Sequence, residues 1–271
     1  MHDSSVMPAT MIALRLFAEN EMHKKTDCCP AASSNSVGRR TVLKTALGVA
    51  AVGLAGTMGG VESAYAAALS KSERDKLTPD QIIESLKQGN RRFRLGKMLP
   101  HDYLAQKRVT AGGQYPAAVI LSCIDSRAPA EIILDTKIGD TFNARVAGNI
   151  VNEDLIGSLE FACAAAGAKV ILVLGHTGCG AIKGAIDHVE LGNLTGLLAK
   201  IRPAVDETQY AGDRSSKNDA FVDAVAQTNV RRTIDAIRNG SNVLAPMEKD
   251  GKLKIVGAMY HLNGGVVEFL A

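Results

Sequence analysis

Two unbroken apolar runs constrain the fold of this chain more than anything else in its 271 residues. Residues 117–123 read Ala-Ala-Val-Ile-Leu-Ser-Cys, and residues 169–175 read Lys-Val-Ile-Leu-Val-Leu-Gly. Each has strand length and no alternation of polar with apolar positions, the pattern of a strand covered on both faces. Helices must then lie on both sides of the sheet, which is how a parallel sheet with helical crossovers is built. The helical patterns fall where this requires them. Thr78-Pro79-Asp80 is a helix start, with Thr as N-cap and Pro in the first turn. Ile82, Ile83, Leu86, Asn90 and Phe93 follow at helical spacing, and Gly96 and Pro100 close the segment. Residues 155–166, 181–201 and 219–239 read as helices, the first closed by Gly167 and the last by Asn239-Gly240. Residues 132–146 hold a turn at Gly139-Asp140 and a second strand. Residues 253–260 and 266–270 read as short strands, and residues 212–218 as a polar loop. The expected fold class is α/β: a central, mainly parallel β-sheet flanked by helices, with an N-terminal helical arm.

The first 66 residues read as an address rather than as part of this fold. Gly38-Arg39-Arg40-Thr41-Val42-Leu43-Lys44 is a twin-arginine pattern. An apolar, small-residue stretch follows, and then Ala64-Tyr65-Ala66, an A-x-A cleavage site. Charged region, apolar region and small-residue site stand in secretory order. The expectation is a cleaved twin-arginine signal peptide over residues 1–66, one catalytic domain over residues 67–271, and a periplasmic or secreted product. An uncleaved anchor is the competing reading, but the apolar stretch is short and rich in Gly for a membrane span. That export route carries folded proteins, so a metal can be loaded before the chain meets an oxidising compartment.

Net charge is +3, with 31 basic and 28 acidic residues, and no basic stripe runs along the chain, so a nucleic-acid partner is excluded. Aromatics are 4 % with no Trp, so the core is aliphatic. Of five cysteines, Cys28 and Cys29 fall in the leader. Cys123, Cys163 and Cys179 fall in the body and do not read as a disulfide framework.

Chemistry concentrates where the two apolar runs end. The first opens into Cys123-Ile124-Asp125-Ser126-Arg127 and the second into His176-Thr177-Gly178-Cys179. Carboxyl ends of parallel strands are where α/β folds place their sites. Two thiolates and one imidazole make a three-ligand zinc site with a fourth position free, so Cys123, His176 and Cys179 are the expected ligands. Gly178 and Gly180 relax the backbone between and beside the second pair. A closed structural zinc is the alternative, with Cys163, His188, His261 or Asp125 as fourth ligand; Cys163 fits better as core. Asp125 and Arg127 beside a metal thiolate are a candidate catalytic pair, the guanidinium holding the carboxylate ionised and oriented.

Cys-x-Asp-Ser-Arg followed by His-x-x-Cys-Gly resembles the β-class carbonic anhydrases. The resemblance extends over the body of the chain. Leu77-Thr78-Pro79-Asp80 with Gly89-Asn90-Arg91-Arg92-Phe93 is similar to that family's N-terminal helix. Gln114-Tyr115-Pro116 is similar to its Gln-x-Pro, and residues 145–149 to its Arg-Asn-Ala-Gly-Asn, with Val146 in place of the usual Asn.

What the resemblance implies is a Zn2+ enzyme that interconverts carbon dioxide and bicarbonate, with Asp125 and Arg127 as catalytic dyad. Gln114 would hydrogen-bond the substrate, Phe142 would wall the pocket, and the Gly180 amide would be a further donor. It also implies a homodimer or dimer-based higher oligomer, with Gln114 and Phe142 reaching the neighbouring subunit's zinc. Some members close the site by bringing Asp onto the metal, supported by bicarbonate in a Trp/Tyr/Arg pocket. Here Ile120 and Phe161 stand at the Trp and Tyr positions, while Arg145 remains, so an open site at neutral pH is expected. Hydrolysis of carbonyl sulfide or carbon disulfide on the same scaffold, and a non-catalytic zinc protein, are the competing functions.

Overall fold

The structure is a computed structural model that describes residues 68–270. The twin-arginine pattern, the apolar stretch, the cleavage site, Cys28 and Cys29 lie outside the described residues. No helix among the described residues is long and apolar enough to cross a membrane.

The arm comes first. Helix α1 (Lys71–Lys76) starts on a capping box between Ser70 and Glu73. Helix α2 (Pro79–Arg94) starts on a second, between Thr78 and Gln81, with Pro in its first turn. Both boxes satisfy backbone N–H groups that a helix start leaves without partners. A short helix α3 (Tyr103–Thr110), capped by Asp102, precedes the sheet and was not anticipated from periodicity.

Strand β1 (Ala118–Ser122) is the first apolar run. Helix α4 (Ala130–Ile133) leads to β2 (Thr141–Arg145). Helix α5 (Glu153–Glu160) continues as a π-helical turn over Phe161–Ala165, and β3 (Val170–His176) is the second apolar run. Helices α6 (Gly180–Ile186), α7 (Gly192–Glu207), α8 (Asp219–Gly240) and α9 (Leu244–Lys249) separate β3 from β4 (Lys254–Tyr260), and β5 (Val267–Phe269) ends the fold. Sheet order is β2-β1-β3-β4-β5. The first four strands are parallel, and β5 runs antiparallel to β4. The α/β expectation is met. The single helix expected over residues 181–201 is instead two. His188 takes φ 52° and Gly192 φ 44°, left-handed backbone that a continuous α-helix does not contain.

Alternation along each strand sorts the core. Val119, Leu121 and Cys123 face one cluster with Ile171, Val173, Ile182, Ile201, Phe221 and Val225. Ala118, Ile120, Leu172 and Leu174 face the other, with Ile82, Ile83, Leu86, Ile133 and Leu134. Successive side chains of a strand point to opposite faces, so Cys123 falls on the face that α8 covers. From β1 the chain steps outward to β2, then returns to β3 on β1's other side. The carboxyl ends of β1 and β3 therefore bracket a topological switch point, where a crevice opens in sheets of this kind.

A buried polar cluster fastens the arm to the segment after β1. The Asp135 side chain is fully buried and accepts hydrogen bonds from Arg92, His101 and the Leu99 N–H. Burial pushes this carboxyl up, but the bonds from His101, Arg92 and Leu99 overcome it and leave the pKa below the ordinary value. A carboxylate depressed on folding contributes stability above its unfolded pKa and loses it as pH falls through the folded value. Asp135→Asn is therefore expected to cost about 3 kcal/mol at neutral pH, the scale for breaking a buried ion pair. The deficit should shrink below about pH 4, the unfolded Asp pKa. Urea unfolding of both proteins across pH checks this, and a deficit independent of pH would count against it.

Candidate metal centre

Three ligand atoms converge at the switch point. The donor atoms of Cys123, His176 and Cys179 all lie within 4.8 Å of one another, and all three residues are buried. Cys123 follows β1 directly. His176 is the last residue of β3, and Cys179 is the N-cap of α6. Between them Gly178 takes φ +61°, the left-handed turn that brings two residues three apart onto one point.

The donor set fits zinc. Two sulfurs each about 2.3 Å from one tetrahedral ion stand about 3.8 Å apart, and the Cys123 and Cys179 Sγ atoms are 4.0 Å apart. The His176 Nδ1–H donates to the Thr177 carbonyl at 2.9 Å, which leaves Nε2 as the free lone pair. That Nε2 is buried with no hydrogen-bond partner, a costly arrangement unless a metal takes the lone pair.

The two thiols are electrostatically one unit. Their mutual hydrogen bond brings Cys123 down and pushes Cys179 up. The Gly148 N–H donates to Cys123 Sγ at 3.3 Å and adds to the lowering. To hold a divalent ion, Cys123 and Cys179 would both be thiolates, because coordinating thiols are deprotonated.

Beside the ligands, Asp125 and Arg127 form a two-pronged pair. Arg127 Nε donates to Asp125 Oδ1 at 3.0 Å and its terminal nitrogen donates to Oδ2 at 2.7 Å. The Arg127 backbone N–H adds a bond to Oδ1 at 2.9 Å. These bonds from Arg127, opposed by modest burial, hold the Asp125 carboxyl at about 2. Oδ2 lies 3.8 Å from His176 Nε2, so the carboxylate borders the point where the ligand atoms meet. Arg145, from the end of β2, donates to the carbonyls of Cys123 at 2.8 Å and Asp125 at 2.6 Å, fixing the path of the Cys-x-Asp segment.

Other sequence-expected residues lie elsewhere. Cys163 sits in the π-helical turn, where burial pushes its thiol up to about 12, and it is core. His261 pairs with Glu268. Neither belongs to the metal-ligand group, which among the described residues holds three members. Gly180 opens α6, next to Cys179. Gln114 is exposed ahead of β1. Phe142 pairs in register with Val119, four residues before Cys123 and so about 13 Å back along the strand. Gln114 and Phe142 thus lie at the opposite end of the strands from the ligands of their own chain. Asp223 and Asn229 on α8, which bond Gly178 in the His176–Cys179 turn and Gly148 behind Cys123, carried no sequence signal: each reads as an ordinary polar position on a long helix.

Such a centre belongs to a zinc enzyme that activates water, since three protein ligands leave the fourth position open. The carbonic anhydrase family model matches residues 118–267, and the chain belongs to this family, in its β class. It is 34 % identical over 193 residues to carbonic anhydrase 2 of Mycobacterium tuberculosis, covering 69 % of this chain and 90 % of that protein. It is 33 % identical over 192 residues to the carbonic anhydrase of Mycolicibacterium smegmatis, covering 70 % and 92 %. The crystal structure of the β-carbonic anhydrase CafA of Aspergillus fumigatus superposes with a TM-score of 0.54 at 30 % identity, over 60 % of this chain and 79 % of that one. One of two tetrameric β-carbonic anhydrases from Sordaria macrospora gives 0.54 at 27 %, over 59 % and 83 %. The chain is accordingly a zinc-dependent lyase for the reversible hydration of carbon dioxide to bicarbonate. Sulfur-analogue hydrolysis and a purely structural zinc are the less favoured readings.

Proposed function

We propose that Cys123, His176 and Cys179 hold the zinc while Asp125, paired with Arg127, manages the proton of the attacking water. The observation that carries this is the geometry of Asp125, whose Oδ2 faces the ligand cluster 3.8 Å from His176 Nε2 while Arg127 occupies both its oxygens. Zinc supplies a Lewis acid that makes water nucleophilic at neutral pH. Asp125 Oδ2 accepts that water's remaining hydrogen and so aims its lone pair at carbon dioxide. Arg127 keeps Asp125 ionised and off the metal. The Gly180 N–H is the expected donor to the product oxygen. Retained zinc with lost turnover in Asp125→Asn, argued below, is the test.

The working unit in this proposal is a dimer or a dimer-based larger assembly. Among the described residues strand β2 is an outer strand of the sheet, and Phe161, at 60 % exposure, and the exposed Tyr103, Ile132 and Ile138 line the hollows beside it. Exposed apolar surface beside an unpaired edge is what a second copy covers. A second copy also supports a role for Gln114 and Phe142 at the partner's zinc, which their own chain keeps out of reach.

The fourth position is expected to stay open to water at neutral pH. The Ile120 side chain is fully buried and carries no hydrogen-bond donor, Phe161 has no hydroxyl, and Arg145 is committed to the Cys123 and Asp125 carbonyls. A bicarbonate ion there lacks donors worth about 1.5–3 kcal/mol each. Bicarbonate inhibition should therefore be non-cooperative. Cooperative inhibition, or a crystal structure near neutral pH with Asp125 on zinc and Arg127 unpaired, overturns this.

Export by the twin-arginine route with cleavage after Ala66 completes the proposal, resting on Arg39-Arg40 and Ala64-Tyr65-Ala66. Mass spectrometry of the protein from its native envelope should find a chain that begins at Ala67. A full-length chain retained in the membrane counts against it.

A further inference from the structure

Helix α8 reaches the surroundings of the ligands through polar side chains, at the His176–Cys179 turn and at the Gly148 turn that bonds Cys123. Asn229 is 2 % exposed, and its Nδ2 donates to the Gly148 carbonyl at 2.7 Å. The N–H of that same Gly148 donates to Cys123 Sγ. Six residues earlier, Asp223 Oδ1 accepts the N–H of Gly178 at 2.9 Å, and Gly178 lies between the ligands His176 and Cys179. Neither glycine tolerates a side chain that would fix it by packing. Both take left-handed φ, +68° and +61°, and a Cβ on Gly148 would stand 2.5 Å from the Ile201 side chain. Hydrogen bonds from outside the loops do that work instead.

We infer that Asn229 and Asp223 are positioning residues of the zinc site, a pair of tethers from one helix that hold the His176–Cys179 turn directly and Cys123 by way of the Gly148 turn. The inference rests on the ligand assignment above. One helix is an effective common anchor because α8 is long and core-packed: Phe221, Val222, Val225 and Val230 are fully buried. Asn229 acts on Cys123 at second hand. By holding the Gly148 carbonyl it orients the Gly148 N–H toward sulfur, and an N–H···S bond withdraws charge from a coordinating thiolate. Asp223 acts on the His176–Cys179 turn, keeping both ligands on one side of it. Partners at this remove from a metal orient its ligands and tune its electronics.

The test uses the full zinc-loaded chain. Zinc release into excess chelator is followed for the parent, Asn229→Leu, Asp223→Ala and Asp223→Asn. Loss of either tether is expected to weaken zinc retention about 10- to 100-fold, the usual effect of removing such a partner. Asp223→Asn keeps an acceptor oxygen and should release zinc like the parent, separating the hydrogen bond from the charge. Thr233→Val, another buried polar change on α8, should also match the parent and controls for general loosening of the helix. Cobalt substituted for zinc supplies a second reading. Its thiolate charge-transfer band should shift in Asn229→Leu and not in Thr233→Val. If Asn229→Leu does not fold, Asn229→Ser serves, since its hydroxyl is too short to reach Gly148. Parent-like release and an unmoved band in the Asn229 variant, with parent-like release in Asp223→Ala, overturn the inference. Failure of the parent itself to bind zinc would instead overturn the ligand assignment.

Discussion

Cys123→Ser and His176→Ala are each expected to lose zinc and carbon dioxide hydration together. Both side chains are buried, at 4 % and 1 % exposure, and the adjacent Asp125 carboxylate stands outside the ligand group, held by Arg127. A structural zinc site contributes about 10–16 kcal/mol at neutral pH. Removing one of three ligands is therefore expected to cost more than about a thousandfold in affinity, or roughly 4 kcal/mol. A serine hydroxyl is close in shape to the thiol but stays protonated near neutral pH, so Cys123→Ser changes the chemistry with little change in volume. His176→Ala also removes the ring that Thr177 orients, and leaves a cavity under the end of β3. Metal content by elemental analysis and hydration by stopped flow decide the matter. Stoichiometric zinc in both variants would show that other residues hold it.

Asp125→Asn should separate binding from chemistry. The three ligands are untouched, so zinc content should match the parent. The carboxylate accepts three hydrogen bonds from Arg127 through both of its oxygens, and an amide has only one oxygen to offer. Its NH2 must face either the guanidinium, donor against donor, or the metal position, where it donates instead of accepting. In the second orientation the oxygen that takes the water's hydrogen is lost, and in the first it survives only by breaking the bonds from Arg127 that hold it in place. Turnover is expected to fall about 10²- to 10⁴-fold, the scale for a positioned acid–base group. Because Arg127 already holds the parent carboxyl at about 2, that group stays ionised throughout the working range. The defect should accordingly persist from neutral to alkaline pH. Turnover near that of the parent across this range would falsify the role given to Asp125.

Much of this was legible in the residues because it depends on neighbours. The two apolar runs became β1 and β3, since a strand buried on both faces has no alternation to hide. The start of α2 was legible at Thr78-Pro79, since a cap acts within one turn. Ligand types at the strand ends stood three residues apart or in one short motif, and a parallel sheet delivers its strand ends to one edge. Periodicity failed where a backbone angle decided, as at His188 and Gly192, which split one expected helix into α6 and α7. It also passed over α3, which is short and takes its start from the single cap at Asp102.

What the sequence determined by itself was the chemical inventory: two thiols, an imidazole, a carboxylate and a guanidinium, at spacings that suit zinc. Only the tertiary structure decided how that inventory is held. Strand parity places Cys123 on the face covered by α8, and the order β2-β1-β3 makes its end a crevice. The tether to the His176–Cys179 turn comes from 45 residues away, in Asp223, and the tether to the Gly148 turn behind Cys123 from 81 residues away, in Asn229. No local pattern encodes such contacts. They follow from the register of a sheet and the seating of a helix, which the chain settles only when the whole core packs.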